Sequence, residues 1–208
     1  MRRPDTAHGM PRHRRDMSGA GVEGNAKLTA MTGAVLLLGF AVEGLTILSV
    51  HRLLVLHFLV GLLLIGPVLL KIASTLYRFA KYYAGSLAYV RKGPPAPVLR
   101  VLGPFVILTS LAVLGTGVVL AVVGPASGPW LFLHKASFIL WFAVMTVHVL
   151  NYAPRLPQLL SARAGHGEGA AAVAGNSARW LALAGSLAVG VGVAAVTMQM
   201  SAGWNVGF

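Results

Sequence analysis

Two histidines in separate apolar segments are the residues of this sequence best suited to chemistry. His57 opens the segment HFLVGLLLIG, and His134 lies in LHKASFILWF. His148 follows His134 by fourteen residues, which returns it to nearly the same face of a helix. Two neutral imidazoles that face each other across a helical bundle can ligate a haem iron from both sides. These residues therefore indicate haem binding, provided that helices bring two imidazoles to one level.

The elements that must position them are helices that cross a membrane. The chain has 208 residues, of which 56% are hydrophobic and 11% charged. Five apolar stretches reach the roughly 20 residues that a bilayer core requires; they are 28–49, 53–76, 101–123, 130–152 and 178–200. The first is too long for a typical signal peptide and is expected to remain as an anchor, with Met17 as an alternative start. We predict an all-α, multi-pass bundle of five spans, with a four-helix core and one accessory helix.

The segments between the spans give the domain organisation. The polar, basic N-terminal segment predicts a disordered tail, and a Gly- and Ala-rich segment predicts a flexible loop. Ala184, Ala188 and Gly192 recur at four-residue spacing, which predicts a close-packing face on the fifth span. The expected domains are a disordered cytoplasmic tail at 1–26, a four-helix membrane core at 27–152, a flexible cytoplasmic loop at 153–177, and the fifth span with a short outer tail at 178–208.

The basic residues predict the orientation in the membrane. Every Lys and Arg except Arg52 and Lys135 falls in the N-terminal tail or in the segments at the same end of the spans. The positive-inside rule then places the N-terminus in the cytoplasm and the C-terminus outside the cell membrane. The net charge of +12 is therefore a signal of topology and of contact with anionic lipid, not of nucleic-acid binding. The absence of cysteine excludes disulfides and covalent attachment of haem.

This topology converts sequence position into depth. At 1.5 Å per residue, His57 lies about 9 Å below the outer end of the second span, and His134 about 6 Å below that of the fourth. The two are expected to share an outer layer with Glu43, the only acidic residue within a span. Together the residues of this outer layer are Glu43, His51, Arg52, His57, His134 and Lys135.

The neighbours of the two histidines suit a haem. Gly61 follows His57 by four residues, on nearly the same face, and would let a macrocycle approach the backbone. Arg52 and Lys135 are at the depth needed to pair with haem propionates. His51 is the substitute ligand if the register of the second span differs.

The pattern resembles that of b-type cytochrome membrane subunits, above all the haem-b subunits of formate dehydrogenases and nickel-iron hydrogenases, in which one helix supplies two histidines fourteen residues apart. The resemblance covers about residues 27–152. Two segments also resemble an actinobacterial group of small membrane proteins that carry only a general description. These segments are HFLVGLLLIGPVLLKIASTLYRFAKYY and LHKASFILWF. The resemblance implies that His57 and His134 ligate an outer haem and that His148 is one ligand of an inner haem.

The inner layer departs from that family pattern. Lys71 stands fourteen residues after His57, where a partner for His148 would be needed. A protonated lysine is not a ligand, and its deprotonation beside a basic interface is costly. We therefore expect one haem b. Lys71 is expected to extend to the lipid headgroups, and His148 to be a structural or hydrogen-bonding residue near Asn151.

The expected function is electron transfer through one bis-histidine haem in the outer half of the bilayer, with quinone or a redox partner subunit. No flavin or nicotinamide motif is visible, so we expect a subunit and not a self-contained enzyme. A non-haem structural or partner-binding subunit remains an alternative, as does proton-coupled transport through Glu43. A further alternative is a metal site formed by His51, His57, His134 and Glu43, although His51 and His57 lie on different helix faces. The sequence carries no signal for the oligomeric state.

Overall fold

The computed structural model describes residues 12–94, 97–152, 154 and 169–201. This part of the chain is helical and contains no strand, which confirms the all-α prediction. The six helices are α1 (Arg12–Ile47), α2 (Val50–Tyr83), α3 (Leu87–Lys92), α4 (Pro97–Val123), α5 (Gly128–Tyr152) and α6 (Gly169–Ser201).

Five of the helices are long and apolar enough to cross a bilayer, as the sequence predicted. The spans are Gly21–Ile47, Val50–Tyr83, Arg100–Val123, Gly128–Asn151 and Asn176–Gln199. Their outward faces carry large apolar side chains, and Leu38, Phe132 and Leu181 are 70%, 71% and 72% exposed. Exposed apolar surface on this scale requires a nonpolar surrounding. The protein is therefore a multi-pass helical membrane protein.

The spans form two hairpins with short connections at the same end of the bundle. Leu48 and Ser49 join α1 to α2, and residues 124–127 join α4 to α5. We call this the turn end, and the opposite end, which carries α3, the α3 end. Both α2 and α5 start at the turn end, so residues near their N-termini share a level.

The helix α6 packs on α2 through a close approach of the two backbones. A Cβ atom built on Gly66 would lie 1.7 Å from the Ser186 carbonyl oxygen, and one on Gly190 would lie 2.2 Å from the Leu63 oxygen. Only glycine permits helices to approach this closely. The fifth span is thus fixed to α2, and none of its described residues lines either of the two cavities described below.

The face that α6 uses for this contact is not the predicted one. Ala184, Ala188 and Gly192 are exposed, and a Cβ on Gly192 would meet no atom within 4 Å. The prediction failed because small residues recur every four positions on two faces of this helix, and only one of them meets the backbone of α2. The buried face consists of Leu183, Ser186, Gly190, Ala194 and Thr197.

The predicted tail and loop are partly helical. Residues 12–26, expected to be disordered, continue α1, and residues 169–177 of the expected loop begin α6. Packing explains part of this difference, since Val22 is buried and the Asn25 amide donates to the Ser74 carbonyl at 3.1 Å. The remaining segments of these predictions, at 1–11, 153, 155–168 and 202–208, lie outside the described residues.

The short helix α3 is anchored by an aromatic contact. Tyr89 is buried and packs edge-on against Tyr77, with 6.1 Å between the ring centroids. Burial raises the pKa of the Tyr89 phenol, the nearby Tyr77 raises it further, and the Arg78 guanidinium opposes the shift. Tyr77 and Tyr89 therefore pack against each other. They also lie at the end of the second span, where aromatic side chains are expected to anchor a helix at the membrane interface.

Candidate functional site

The imidazoles of His57 and His134 face each other near the turn end. Their ring centroids lie 6.3 Å apart, and the ring planes are inclined at 76°. The shared layer expected from the sequence is therefore present, with one histidine contributed by each hairpin. The two rings come from α2 and α5, whose backbones do not pack extensively against each other in the described part of the chain.

Two acceptors on α1 fix the orientation of His57. Its Nδ1 lies 3.0 Å from Glu43 Oε1 and 2.8 Å from Thr46 Oγ1. The Thr46 hydroxyl donates its own proton to the Glu43 carbonyl at 2.6 Å. Because the Thr46 hydroxyl uses its proton in that bond, it accepts from the ring, which assigns a proton to Nδ1. In the neutral imidazole, this arrangement leaves the lone pair on Nε2.

Hydroxyl and carbonyl groups orient His134 in the same way. Its Nδ1 lies 3.1 Å from Thr116 Oγ1, and that hydroxyl donates to the Ala112 carbonyl at 2.7 Å. The Val113 carbonyl is a further acceptor for the ring. Nδ1 must therefore be the protonated nitrogen here too. The Ser137 hydroxyl is the last of these polar groups around His134, and its Oγ lies 3.2 Å from Thr116 Oγ1.

The geometry of this pair fits a metal held between two imidazoles. A metal–imidazole bond is about 2 Å long, so two rings bound to opposite sides of one iron have centroids about 6 Å apart. Second-shell acceptors on Nδ1 are the usual way in which ligating histidines are oriented. The donor set and its spacing would thus suit a metal held by both imidazoles.

A cavity of about 550 Å³ adjoins the two rings and separates the hairpins. This volume falls within the range of roughly 300–1,000 Å³ that cofactor sites occupy. The helix α5 packs extensively only against α4, so side chains such as Phe40 and Trp141, with ring centroids 4.7 Å apart, bridge the gap to α1. The walls are largely apolar, and His57, His134, Glu43 and Lys135 are among the few polar groups.

Two glycines leave the space that polar side chains of the site occupy. A Cβ on Gly61 would lie 3.1 Å from Glu43 Oε1, so the immediate neighbour of Gly61 is the carboxylate, although the glycine also lines the cavity. Gly117, on α4, leaves space for the His134 ring in the same way, because a Cβ there would lie 3.2 Å from the ring Cε1. Gly44 also lines the cavity, and a Cβ there would meet nothing within 4 Å.

Replacement of Gly117 by alanine is expected to displace the His134 ring without unfolding the protein. The distance from the added methyl carbon to Cε1 would be shorter than most contacts that a Cβ atom makes in proteins. The ring must therefore shift by a few tenths of an ångström. If the two histidines hold a haem, a misplaced ligand lowers the affinity for it, and we expect haem retention to fall by up to about tenfold. The measurement is haem content after purification. Gly115→Ala is the matched control because a Cβ there would meet no atom; equal retention in both variants would contradict the placement of His134.

The other residues of the predicted layer differ in their positions. Lys135 is exposed and lines the cavity, as a propionate partner would. His51 and Arg52 are exposed and are not among the cavity-lining residues, because they lie at the start of α2 on another face. They are not brought to the two rings. Within the described part of the chain no three His, Cys, Asp or Glu side chains meet as a metal site, which removes the support for the four-residue alternative.

Lys71 and His148 face each other toward the α3 end. Both line a second cavity of about 190 Å³. The expectation that Lys71 extends to the headgroups is wrong: its Nζ donates to the Thr29 carbonyl at 2.5 Å. Gly33 leaves room for it, since a Cβ there would lie 2.8 Å from that nitrogen. The Asn151 amide donates to the Val147 carbonyl of its own helix, at 2.8 Å.

An apolar layer separates these two levels. Leu36, Leu64 and Val68 form a buried cluster. On the α5 side, Trp141 is buried and its Nε1 donates to Ser110 Oγ at 3.0 Å. The polar groups near Glu43 and those near Lys71 are therefore divided by packed hydrocarbon and an indole.

Sequence reasoning did not find Thr46, Thr116, Ser137 or Gly117. The hydroxyl residues gave no signal because serine and threonine are common within membrane helices, where they bond to their own backbone. A helical register anchored on His134 would have suggested Ser137, one turn away. The remaining three depend on which faces of α1 and α4 meet the histidines.

The fold defines the class of the protein, a multi-pass helical membrane protein with a two-histidine layer near one end. No protein-family model, no curated protein and no solved structure matches the chain.

Proposed function

We propose that the protein is a b-type cytochrome-like electron-transfer protein that holds one haem b between His57 and His134. The observation that carries the proposal is the pair of facing imidazoles with centroids 6.3 Å apart, beside a cofactor-sized cavity. Each Nδ1 already has an acceptor, so each Nε2 is the nitrogen left for iron. When bound, the haem supplies one-electron oxidation and reduction.

The residues of the chain contribute binding, orientation and exclusion of water. Glu43 and Thr46 hold the His57 tautomer, and Thr116 holds that of His134. The apolar wall, which includes Phe40, Phe138 and Trp141 of the cavity lining, would keep water from the iron and give the site a low dielectric constant. Lys135, at the cavity and exposed, is suited to pair with a propionate.

The proposal is limited to one haem. His148 faces Lys71, which donates to the Thr29 carbonyl, and no second histidine among the described residues lines that cavity. One centre near the turn end exchanges electrons at that side of the bilayer only. Its partner is a quinone or a redox subunit that supplies any further centre.

The basic residues support an orientation in which the turn end lies outside the cell membrane and the N-terminus lies in the cytoplasm. Lys81, Arg91 and Lys92 cluster at the α3 end, whereas Arg52 and Lys135 are the cations near the turn end. In the cytoplasmic leaflet, the first group would contact anionic headgroups.

Two other functions remain rivals. Proton-coupled transport through Glu43 is disfavoured by the apolar cluster of Leu36, Leu64 and Val68, which separates the carboxylate from the polar groups at the α3 end. A non-haem structural subunit would use the same histidines only as hydrogen-bonding groups between helices. It predicts a protein that folds equally well without haem.

The proposal is tested by the haem content of the purified protein. After expression with ample haem, a pyridine haemochrome assay is expected to give about one haem b per chain. A well-folded, monodisperse preparation that contains no haem would favour the structural alternative, and a ratio near two would contradict the single-haem assignment.

A further inference from the structure

We propose that Glu43 is a positioning residue that would make His57 the stronger electron donor of the two histidines that would hold the haem, and would thereby lower the reduction potential of the site. This inference rests on the proposed function, because it concerns how the chain tunes the haem that His57 and His134 would hold.

The two histidines differ in the charge of their Nδ1 partners. His57 donates toward a carboxylate, with 3.0 Å between Nδ1 and Glu43 Oε1. His134 donates toward the neutral Thr116 hydroxyl at 3.1 Å. A hydrogen bond to a charged acceptor is roughly twice as strong as one between neutral groups. Since an acceptor on Nδ1 increases the basicity of the ligating nitrogen, His57 becomes the more electron-rich ligand.

The surroundings hold the carboxylate against His57. Gly61 leaves the space that Oε1 occupies, because a Cβ there would lie 3.1 Å away. The Glu43 side chain is 16% exposed, and its Oε2 is buried without a hydrogen-bond partner among the described residues. A buried carboxylate with a spare oxygen needs positive charge nearby to offset its lost hydration. Glu43 would therefore stabilise the additional positive charge of a ferric iron through His57, which would favour the oxidised state over the reduced one.

The test is a redox titration of the haem-loaded protein, with Glu43→Gln compared with the unsubstituted chain. Glutamine keeps the shape of the side chain and removes its charge. The ratio of oxidised to reduced protein at a fixed potential is expected to fall by about tenfold. For a one-electron couple, this corresponds to a positive shift of the reduction potential by about 59 mV. The low-spin spectrum of two histidine ligands is expected to persist, which separates tuning from loss of a ligand.

Glu23→Gln is the matched control. It removes the same charge from the same helix, at an exposed position about 30 Å away along α1, and is expected to leave the potential unchanged. Equal shifts in both variants would attribute the effect to net charge and overturn the inference.

Gly61→Ala gives a second measurement that keeps the carboxylate. The added methyl group would crowd Oε1 and displace it by a few tenths of an ångström from its present contact with Nδ1, so a smaller positive shift of the reduction potential is expected. If Glu43→Gln does not retain haem, this variant decides the question. A potential equal to that of the unsubstituted protein would overturn the role of Glu43 and leave the haem assignment intact. Absence of haem from the unsubstituted protein would instead overturn the proposed function.

Discussion

Replacement of His134 by alanine is expected to abolish the haem absorbance of the purified protein. The substitution removes one of two facing imidazoles and leaves His57 with no partner across the gap between the hairpins. His57→Ala is expected to have the same effect, because it leaves His134 as the one histidine among the described residues that line the cavity. The measurement is the absorbance spectrum of each variant, normalised to protein.

His148→Ala is the matched control for both variants. It removes an imidazole from α5, the helix that carries His134, at the level of Lys71, and is expected to retain the haem. Gel filtration in detergent and circular dichroism establish that each variant folds. Equal loss of haem from His134→Ala and His148→Ala would show that the assignment of a single haem to the turn end is wrong.

Replacement of Gly66 by alanine is expected to cause the largest loss of stability. Its Cβ would overlap the Ser186 carbonyl oxygen at 1.7 Å, so α2 and α6 must separate. Overpacking of this kind costs on the order of 3 kcal/mol, and the better helix propensity of alanine offsets about 1 kcal/mol. The net loss of about 2 kcal/mol corresponds to a fall in Tm of roughly 4–8 °C.

Thermal unfolding in detergent measures this effect, with Gly185→Ala as the control on the neighbouring face of α6. A Cβ on Gly185 would meet no atom within 4 Å, so this variant gains helix propensity at no packing cost. If Gly66→Ala unfolds at the same temperature as Gly185→Ala, α2 and α6 do not pack at this crossing.

The spans and the level of the two histidines were predictable, since both depend on quantities that the sequence carries directly. Hydropathy and length give five helices, and the rise per residue places His57 and His134 at one depth once the turns are located. The same arithmetic places Lys71 opposite His148.

The faces of the helices were harder to predict. The small residues of α6 form two stripes, and only contact with Gly66 selects the one that contains Gly190. Lys71 illustrates the same limit, because whether it extends outward or bonds to Thr29 depends on the space beside Gly33 on another helix. Depth is a property of one helix, whereas packing is a property of two.

The most direct test of the central claim is a dithionite-reduced minus oxidised absorbance spectrum of the protein, purified in detergent after expression with ample haem. A bis-histidine haem between His57 and His134 predicts a change in the Soret and α bands. A folded protein whose spectrum shows neither change would contradict the claim.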